Sequence, residues 1–408
     1  MQIIFFIHVG TMGKLVFGGL LYCLGCLTAL ANLTDLAEEP DWGRLDSFQK
    51  CISKGEFVRQ LNEVYCPRKS WWSSWIEINQ DSARIRKKAD SDDWYDLQFL
   101  ESNKSNGSSF PCFQISGAKI FIDPGHIGGE FSAMEGRHFA LGNDEPVKEG
   151  DLALLIALAL KSKLERKGAA VFLSRKQNQP VTDARPGDFK NRASSWFGKI
   201  KWMHRITEEE KRERIQKKAD LYFYRVSEIM ARRQLVKKTK PDLILCIHLN
   251  AAPWPDPEHK SLVSRNDYHV LVNGCYMGGE MAYDDQRFEM VWRLVNRWEA
   301  TERLIAESMS RAFAQKTGLP AFAYKGPNAL KIGKVEGVWA RNLLANRIYE
   351  APVVFLEPYI ANSEAVYQRI QMGDYAGHKE INGQKKQSLV REYVDAVLLG
   401  LERVGSLK

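Results

Sequence analysis

Lys119-Ile120-Phe121-Ile122-Asp123-Pro124-Gly125-His126-Ile127-Gly128-Gly129 runs from an apolar, β-branched and aromatic segment straight into a Pro-Gly turn. A short apolar run of that composition reads as a buried strand, and Pro124-Gly125 ends it sharply. His126 then stands on the loop just outside the strand's carboxyl end, where open α/β folds gather their ligands. The position makes this imidazole a candidate metal ligand or base, although a histidine after a strand is, read alone, more often structural or on the surface.

Outward from that stretch the same pattern recurs. Pro241 to Ile247 is a second buried strand that delivers His248, and Ala351 to Leu356 is a third that delivers Glu357. Ala169 to Ser174 and Tyr268 to Val272 read as further strands. Between them, Glu149 to Lys167 carries Leu152, Leu155, Ile156, Ala159, Leu160 and Leu164 at helical spacing, with Gly168 where a capping glycine belongs. The charged stretch 188–240 predicts two inserted helices, Phe288 to Thr317 one long helix ending at Gly318-Leu319-Pro320, and Ser388 to Val404 a closing helix. Strands alternating with helices imply βαβ units and an α/β fold with a largely parallel or mixed sheet.

Three apolar strands therefore end in His126, His248 and Glu357, and Glu149 opens the helix after the first of them. If the strands are parallel neighbours, their carboxyl ends share one edge of the sheet and these side chains can converge. Two histidines and one carboxylate with an open fourth position make a catalytic zinc site, and a second carboxylate nearby serves as base. Each residue also has a plainer reading: Glu149 favours a helix N-terminus electrostatically, and Glu357 can be a paired core carboxylate.

Ile122-Asp123-Pro124-Gly125-His126, Glu149 with its Leu-rich helix, Phe172-Leu173-Ser174-Arg175, Ile247-His248-Leu249-Asn250-Ala251-Ala252 and Pro352 to Glu357 stand in the order seen in zinc-dependent N-acetylmuramoyl-L-alanine amidases of the amidase-3 family. Asn362 also matches that family's segment after the final glutamate. The resemblance covers roughly 118–400. It implies a single mixed, largely parallel sheet flanked by helices on both faces, a peptidoglycan substrate, one zinc ion per chain held by His126, Glu149 and His248, and Glu357 as the catalytic glutamate acting on the bond between muramic acid and L-alanine. Two features depart from the family pattern. Its usual glycine after the first histidine is Ile127 here, and the loop from His126 to Glu149 is longer, so Glu130, Glu135, His138 and Glu145 stand as alternative ligands. Asn250 and Arg341 or Arg347 are candidates for orienting ligands or binding substrate carboxylates, with ordinary strand-end and helix-surface roles as the plainer reading. Some family members occupy the metal with a glutamate from an inhibitory helix; Glu280 or Glu289 could play that part, and both also fit a solvated helix.

Ahead of this catalytic portion, assigned to 110–408 with a helical insertion at about 188–240, lie two other regions. Leu15 to Ala31 is an apolar run closing on Ala29-Leu30-Ala31, which reads as a secretory signal over 1–31 and implies a periplasmic or secreted protein. Translation starting at Met12 and lipid anchoring at Cys26 are the alternatives there. Residues 32–109 predict a small α+β module: a helix over Ser47 to Tyr65 interrupted at Gly55, three short strands near Trp75–Ile78, Ala83–Arg86 and Tyr95–Phe99, and a polar linker from Ser102 to Ser109. Trp71-Trp72-Ser73-Ser74-Trp75 suits either a sugar-stacking platform or domain packing. Cys51 and Cys66 are close enough in sequence to pair.

At 408 residues, 44% hydrophobic and 26% charged, the chain is globular in composition, not disordered. Its net charge of +8 suits an anionic partner, but the basic residues form no nucleic-acid module and the membrane is reached only through the leader. Peptidoglycan, and a protein activator of the enzyme, are the expected partners. A non-catalytic wall-binding or activator protein, or a zinc peptidase or deacylase cutting another amide, are the competing readings.

Overall fold

The computed structural model describes residues 33–101, 113–198, 200, 206–256 and 258–406; the expected signal segment and linker lie outside them. In chain order, helix α1 (Lys54–Gln60) continues into a π-turn and α2 (Lys69–Trp72), then strands β1 (Ile76–Ile78), β2 (Ser82–Arg86) and β3 (Trp94–Gln98) form a small antiparallel sheet. β4 (Lys119–Pro124) opens the large sheet. A hairpin of β5 (His138–Phe139) and β6 (Val147–Lys148) leads into α3 (Glu149–Arg166) and β7 (Ala170–Leu173). The insertion holds α4 (Lys190–Gly198), α5 (Glu208–Leu221) and α6 (Glu228–Thr239), the last two joined through a π-turn at Tyr222–Ser227. β8 (Leu243–Ile247) and β9 (Tyr268–Val272) precede α7 (Gly278–Met281), α8 (Asp284–Val295) and α9 (Trp298–Thr317). β10 (Leu330–Lys331), β11 (Val338–Ala340), α10 (Leu344–Ile348), β12 (Val353–Pro358), α11 (Glu364–Gln371), a hairpin of β13 (Lys379–Ile381) and β14 (Gln384–Lys386), and α12 (Leu389–Ser406) complete the chain.

The large sheet has seven strands in the order β10-β11-β9-β12-β8-β4-β7. β12, β8, β4 and β7 run parallel, while β9 and β11 run against β12. Strand periodicity sorts the core into two layers. Ile120, Ile122, Leu243, Leu245, Ile247, Val270, Val272, Val354 and Leu356 join the cluster under α3, α9 and α12. Phe121, Ile244, Cys246, Leu271, Val353 and Phe355 face the opposite layer with Val236 of α6 and Ile348 of α10. Strands buried on both faces read as continuous apolar runs, which is why they were visible in the sequence. The apolar residues of 45–99 belong to the same contiguous cluster as the α3–α9–α12 layer.

Several elements differ from expectation. The first helix begins only after its Ser53 cap, whose hydroxyl accepts from Glu56 N, and Gly55 lies in its first turn with no interruption. The long pattern 288–317 is two helices, broken where Arg297 takes φ +58°; Arg293 and Glu302 pair across the break. Among the described residues the insertion holds two helical runs, as expected: α4, and α5 continuing through the π-turn into α6. Trp72 is buried, and Trp71 and Trp75 pack on the main cluster, so the tryptophans serve packing. Cys66 is a buried thiol donating to Tyr276 O at 3.2 Å, not half of a Cys51–Cys66 bridge.

Candidate metal centre and active-site cavity

Because β4, β8 and β12 are adjacent and parallel, their carboxyl ends open on one edge, at the mouth of a cavity of about 700 Å³. Asp123, His248 and Glu357 continue the face that carries Phe121, Cys246 and Phe355, so they point toward the α6 side. His126, Glu149 and His248 each offer one donor atom, and all three atoms lie within 4.8 Å of one another. His126 Nε2 is 3.2 Å and His248 Nδ1 is 3.1 Å from the same Glu149 oxygen. That oxygen also accepts from Leu249 N at 3.2 Å, and Arg137 Nε faces the other at 3.3 Å.

The loop that bears His126 is held in an unusual shape. His126 itself has φ +58°, a left-handed conformation that costs a non-glycine residue energy and persists only where the surroundings impose it. Two buried arginines impose it here. Arg175 Nε and Arg232 Nη2 each donate to His126 O at 2.8 Å; Arg175 also takes Gly125 O and Gly150 O, and Arg232 takes Pro124 O. Arg232 is in turn paired with Asp123 at 2.8 Å and Glu228 at 2.8 Å, and Asp123 accepts from Ser174 and Tyr349. Burial works against the charged form of Asp123, but Arg232 and these hydroxyls hold its carboxyl below the ordinary range. Glycine is required at 125 because the backbone passes so close to His248 that a Cβ would fall 2.3 Å from the ring.

The long loop after His126 is the hairpin β5–β6, paired His138↔Lys148 and Phe139↔Val147, which returns the chain so that Glu149 is the first residue of α3. Of the alternative ligands, Glu135 grips Ile127 N at 2.9 Å and Gly128 N at 3.1 Å and faces His126 Nδ1 at 3.6 Å. His138 Nδ1 meets Ser132 Oγ, and Glu130 and Glu145 are exposed. Ile127, the departure from the family glycine, is fully buried. With Glu135 on the Nδ1 side of His126, Nε2 is left for the cluster, the arrangement by which a carboxylate orients a metal-ligating imidazole. Two imidazole nitrogens and a buried carboxylate fit a zinc ion and leave the cavity side open. Burial disfavours protonated His126, yet Glu149 and Glu135 outweigh it and raise the ring above its ordinary value; Glu149 is correspondingly driven well below the ordinary carboxylate value despite burial.

Glu357 lines the same cavity, opposite His269 of β9 in the antiparallel register. Burial raises its carboxyl above the usual value, with His248 opposing. Asn250 also lines the cavity, its side chain accepting from Ala251 N at 2.8 Å. Arg341 lines it and donates to Tyr324 OH at 3.3 Å, whereas Arg347 is committed to Glu289 at 2.5 Å. Glu289 therefore lies in that buried ion pair, away from the histidines. Glu280 reaches the cavity wall, but one of its carboxylate oxygens caps its own helix through Met277 N at 2.8 Å. Sequence reasoning offered Glu135 only as an alternative ligand and missed Asp123, Arg137, Arg175 and Arg232 as parts of this centre; of these four, Arg175 and Asp123 carried a signal, through the motifs that contain them.

No curated protein matches the chain. Among solved structures it is similar to the amidase Ami1 from Mycobacterium smegmatis (14% identity over 72% of this chain and 100% of that one, TM-score 0.39). Similar too are the CwlD amidase from Clostridioides difficile in complex with the GerS lipoprotein (14%, 71% and 100%, 0.37) and the catalytic domain of CwlV from Bacillus (Paenibacillus) polymyxa var. colistinus (14%, 71% and 99%, 0.37). The assignment rests on the family model instead, which matches residues 120–376, more than half of the chain, and spans the strand ends and hairpin described above. The chain belongs to the Amidase_3 family and is a peptidoglycan N-acetylmuramoyl-L-alanine amidase.

Proposed function

We propose that the amidase is zinc-dependent, that His126, Glu149 and His248 hold the ion, and that Glu357 is the proton-transfer residue. The observation that carries this reading is the convergence of two imidazole nitrogens on one buried carboxylate at the floor of a cavity that Glu357 also lines. When bound, zinc lowers the pKa of water toward ~7 and polarises a carbonyl oxygen. Glu357 accepts the proton of the attacking water and delivers it to the amine of the departing L-alanine, so one carboxylate serves both half-reactions. Burial suits it to the task, because a raised carboxyl pKa moves the group toward the working pH. Arg175, Arg232 and Glu135 hold the His126 loop, and Arg137 holds Glu149 from the side away from the imidazoles.

The same reading treats 110–408 as the catalytic portion, with 32–109 buttressing it, and the chain as secreted through the 1–31 leader. Among the described residues no helix is long and apolar enough to cross a membrane. Glu357→Gln should retain one zinc per chain by elemental analysis and release no peptide from muropeptides in a mass-spectrometric digest. His248→Ala should lose the metal. A Glu357→Gln protein that still releases stem peptide, or a wild-type chain that purifies active and metal-free, would sink the proposal.

A further inference from the structure

Arg341 and Arg347 line one cavity, and the sequence offered either for binding a substrate carboxylate. Their surroundings separate them. Arg347 spends its Nε on Glu289 at 2.5 Å and its Nη1 on Gln286 at 3.2 Å and Asn342 at 2.9 Å. Arg265 is paired with Asp267 at 2.5 Å. Arg341 has no ion pair among the described residues: Nη1 donates to Tyr324 OH at 3.3 Å, the guanidinium lies 5.1 Å from the Tyr324 ring, and the buried Nε has no hydrogen-bond partner.

Behind Arg341 runs a fixed chain of hydrogen bonds. Tyr324 OH receives Arg341 Nη1 and meets His269 Nε2 at 3.0 Å. Burial, with Arg341 and Arg265 near, holds His269 down at about 3, so the ring is neutral and Nε2 can accept the phenolic proton. Nδ1 then carries the ring's proton, and it too is buried without a partner. His269 is the cross-strand neighbour of Glu357. The side of the cavity facing Glu357 thus carries donors and, in Arg341, a guanidinium without an ion pair among the described residues. Other carboxylates of the cavity have their own partners: Glu149 and Glu135 in the His126 cluster and Asp123 on Arg232, while Glu280 accepts from Met277 N and feels Arg347 and Arg341 only through space. A neutral sugar hydroxyl would leave such a cation unpaired, whereas a carboxylate matches its planar fork.

We infer that Arg341, aligned by Tyr324 and His269, is the subsite for a carboxylate of the stem peptide, and so helps set which peptides the enzyme accepts. The inference rests on the amidase reading for its substrate but not on zinc or on Glu357. The carboxylates common to stem peptides are the one on the second residue and the one at the C-terminus, and the test distinguishes them. The released stem peptide is titrated calorimetrically into the metal-loaded full chain in three forms: free, amidated at the second residue, and amidated at the C-terminus. One of the two amidated forms should bind about tenfold more weakly than the free peptide, the scale of one lost charge-assisted contact. Arg341→Gln should abolish that difference, and Tyr324→Phe should narrow it. Arg341→Lys, which keeps the charge but not the fork, should narrow it as well and carries the test if the glutamine variant does not fold. Equal binding of all three forms by the wild type, absence of binding, or a full difference surviving in Arg341→Gln would each overturn the inference. Cleavage of muropeptides by the same wild-type preparation reads the amidase proposal separately.

Discussion

Replacing Gly125 by alanine tests whether the centre depends on how closely β4 and β8 pass. A Cβ at this position would lie 2.3 Å from His248 Cε1, 2.5 Å from Nδ1 and 2.6 Å from Nε2, where ordinary contact begins at 3.4 Å. One partner must therefore withdraw by about 1 Å. The backbones cannot yield readily: Gly125 N donates to Ile247 O at 2.9 Å, His248 N donates to Leu356 O at 3.0 Å, and Tyr393 OH donates to His248 O at 3.3 Å. The ring is the part that must shift, and a shift of that size disturbs its 3.1 Å approach to Glu149. Misplacement of about 1 Å in such a site costs on the order of 10²-fold in kcat/KM, and the strained packing costs about 1–3 kcal/mol of stability. Zinc affinity by chelator competition and kcat/KM on muropeptides are the assays, with circular dichroism to confirm folding. Gly55→Ala is the control: it sits in α1 with open space around it, so it should leave turnover unchanged and add up to ~1 kcal/mol of stability. A folded Gly125→Ala enzyme with zinc affinity and kcat/KM within twofold of wild type would refute the argument.

Three other outcomes follow from the same geometry. Asp123→Asn takes from Arg232, 1% exposed, one of its two carboxylates and leaves it Glu228, and should lower the denaturation free energy by about 1–3 kcal/mol; a loss below about 0.5 kcal/mol counts against the buried pair. Because the folded-state pKa of Asp123 lies below its ordinary 3.8, its contribution is complete above that pH and is lost as pH falls further; stability of the wild type should drop through that acid range more steeply than that of the asparagine variant. Glu135→Ala frees the amides of Ile127 and Gly128 and the Nδ1 side of His126. Metal affinity should fall about 10–100-fold in a chain that still folds, and unchanged affinity would remove Glu135 from the centre. Burial pushes the Cys66 thiol up to about 12, so a maleimide at neutral pH should leave it unmodified until the protein is denatured, as peptide mapping can show.

Local periodicity was enough to mark β4, β8, β9 and β12, because strands covered on both faces show as unbroken apolar runs, and α3, because its apolar stripe ends at a capping glycine. The three strand-end residues His126, His248 and Glu357 were legible for the same reason. The break at Arg297 was not, since a residue in the left-handed region leaves the helical spacing on either side almost intact. Nor were the roles of Arg175 and Arg232: a charged side chain reads as surface until the carbonyls and carboxylates that surround it are known, and those come from strands far away in sequence. Which of five acidic or imidazole groups after His126 joins the cluster depended on how the β5–β6 hairpin returns, and which arginine stays unpaired depended on where Glu289 lies. The sequence by itself determined the elements and the chemistry at their ends, because both are set by neighbours within a few residues. Only the tertiary structure decided that β12, β8 and β4 lie side by side and bring those ends to one edge, because strand order is a choice among distant pairings that no local pattern records.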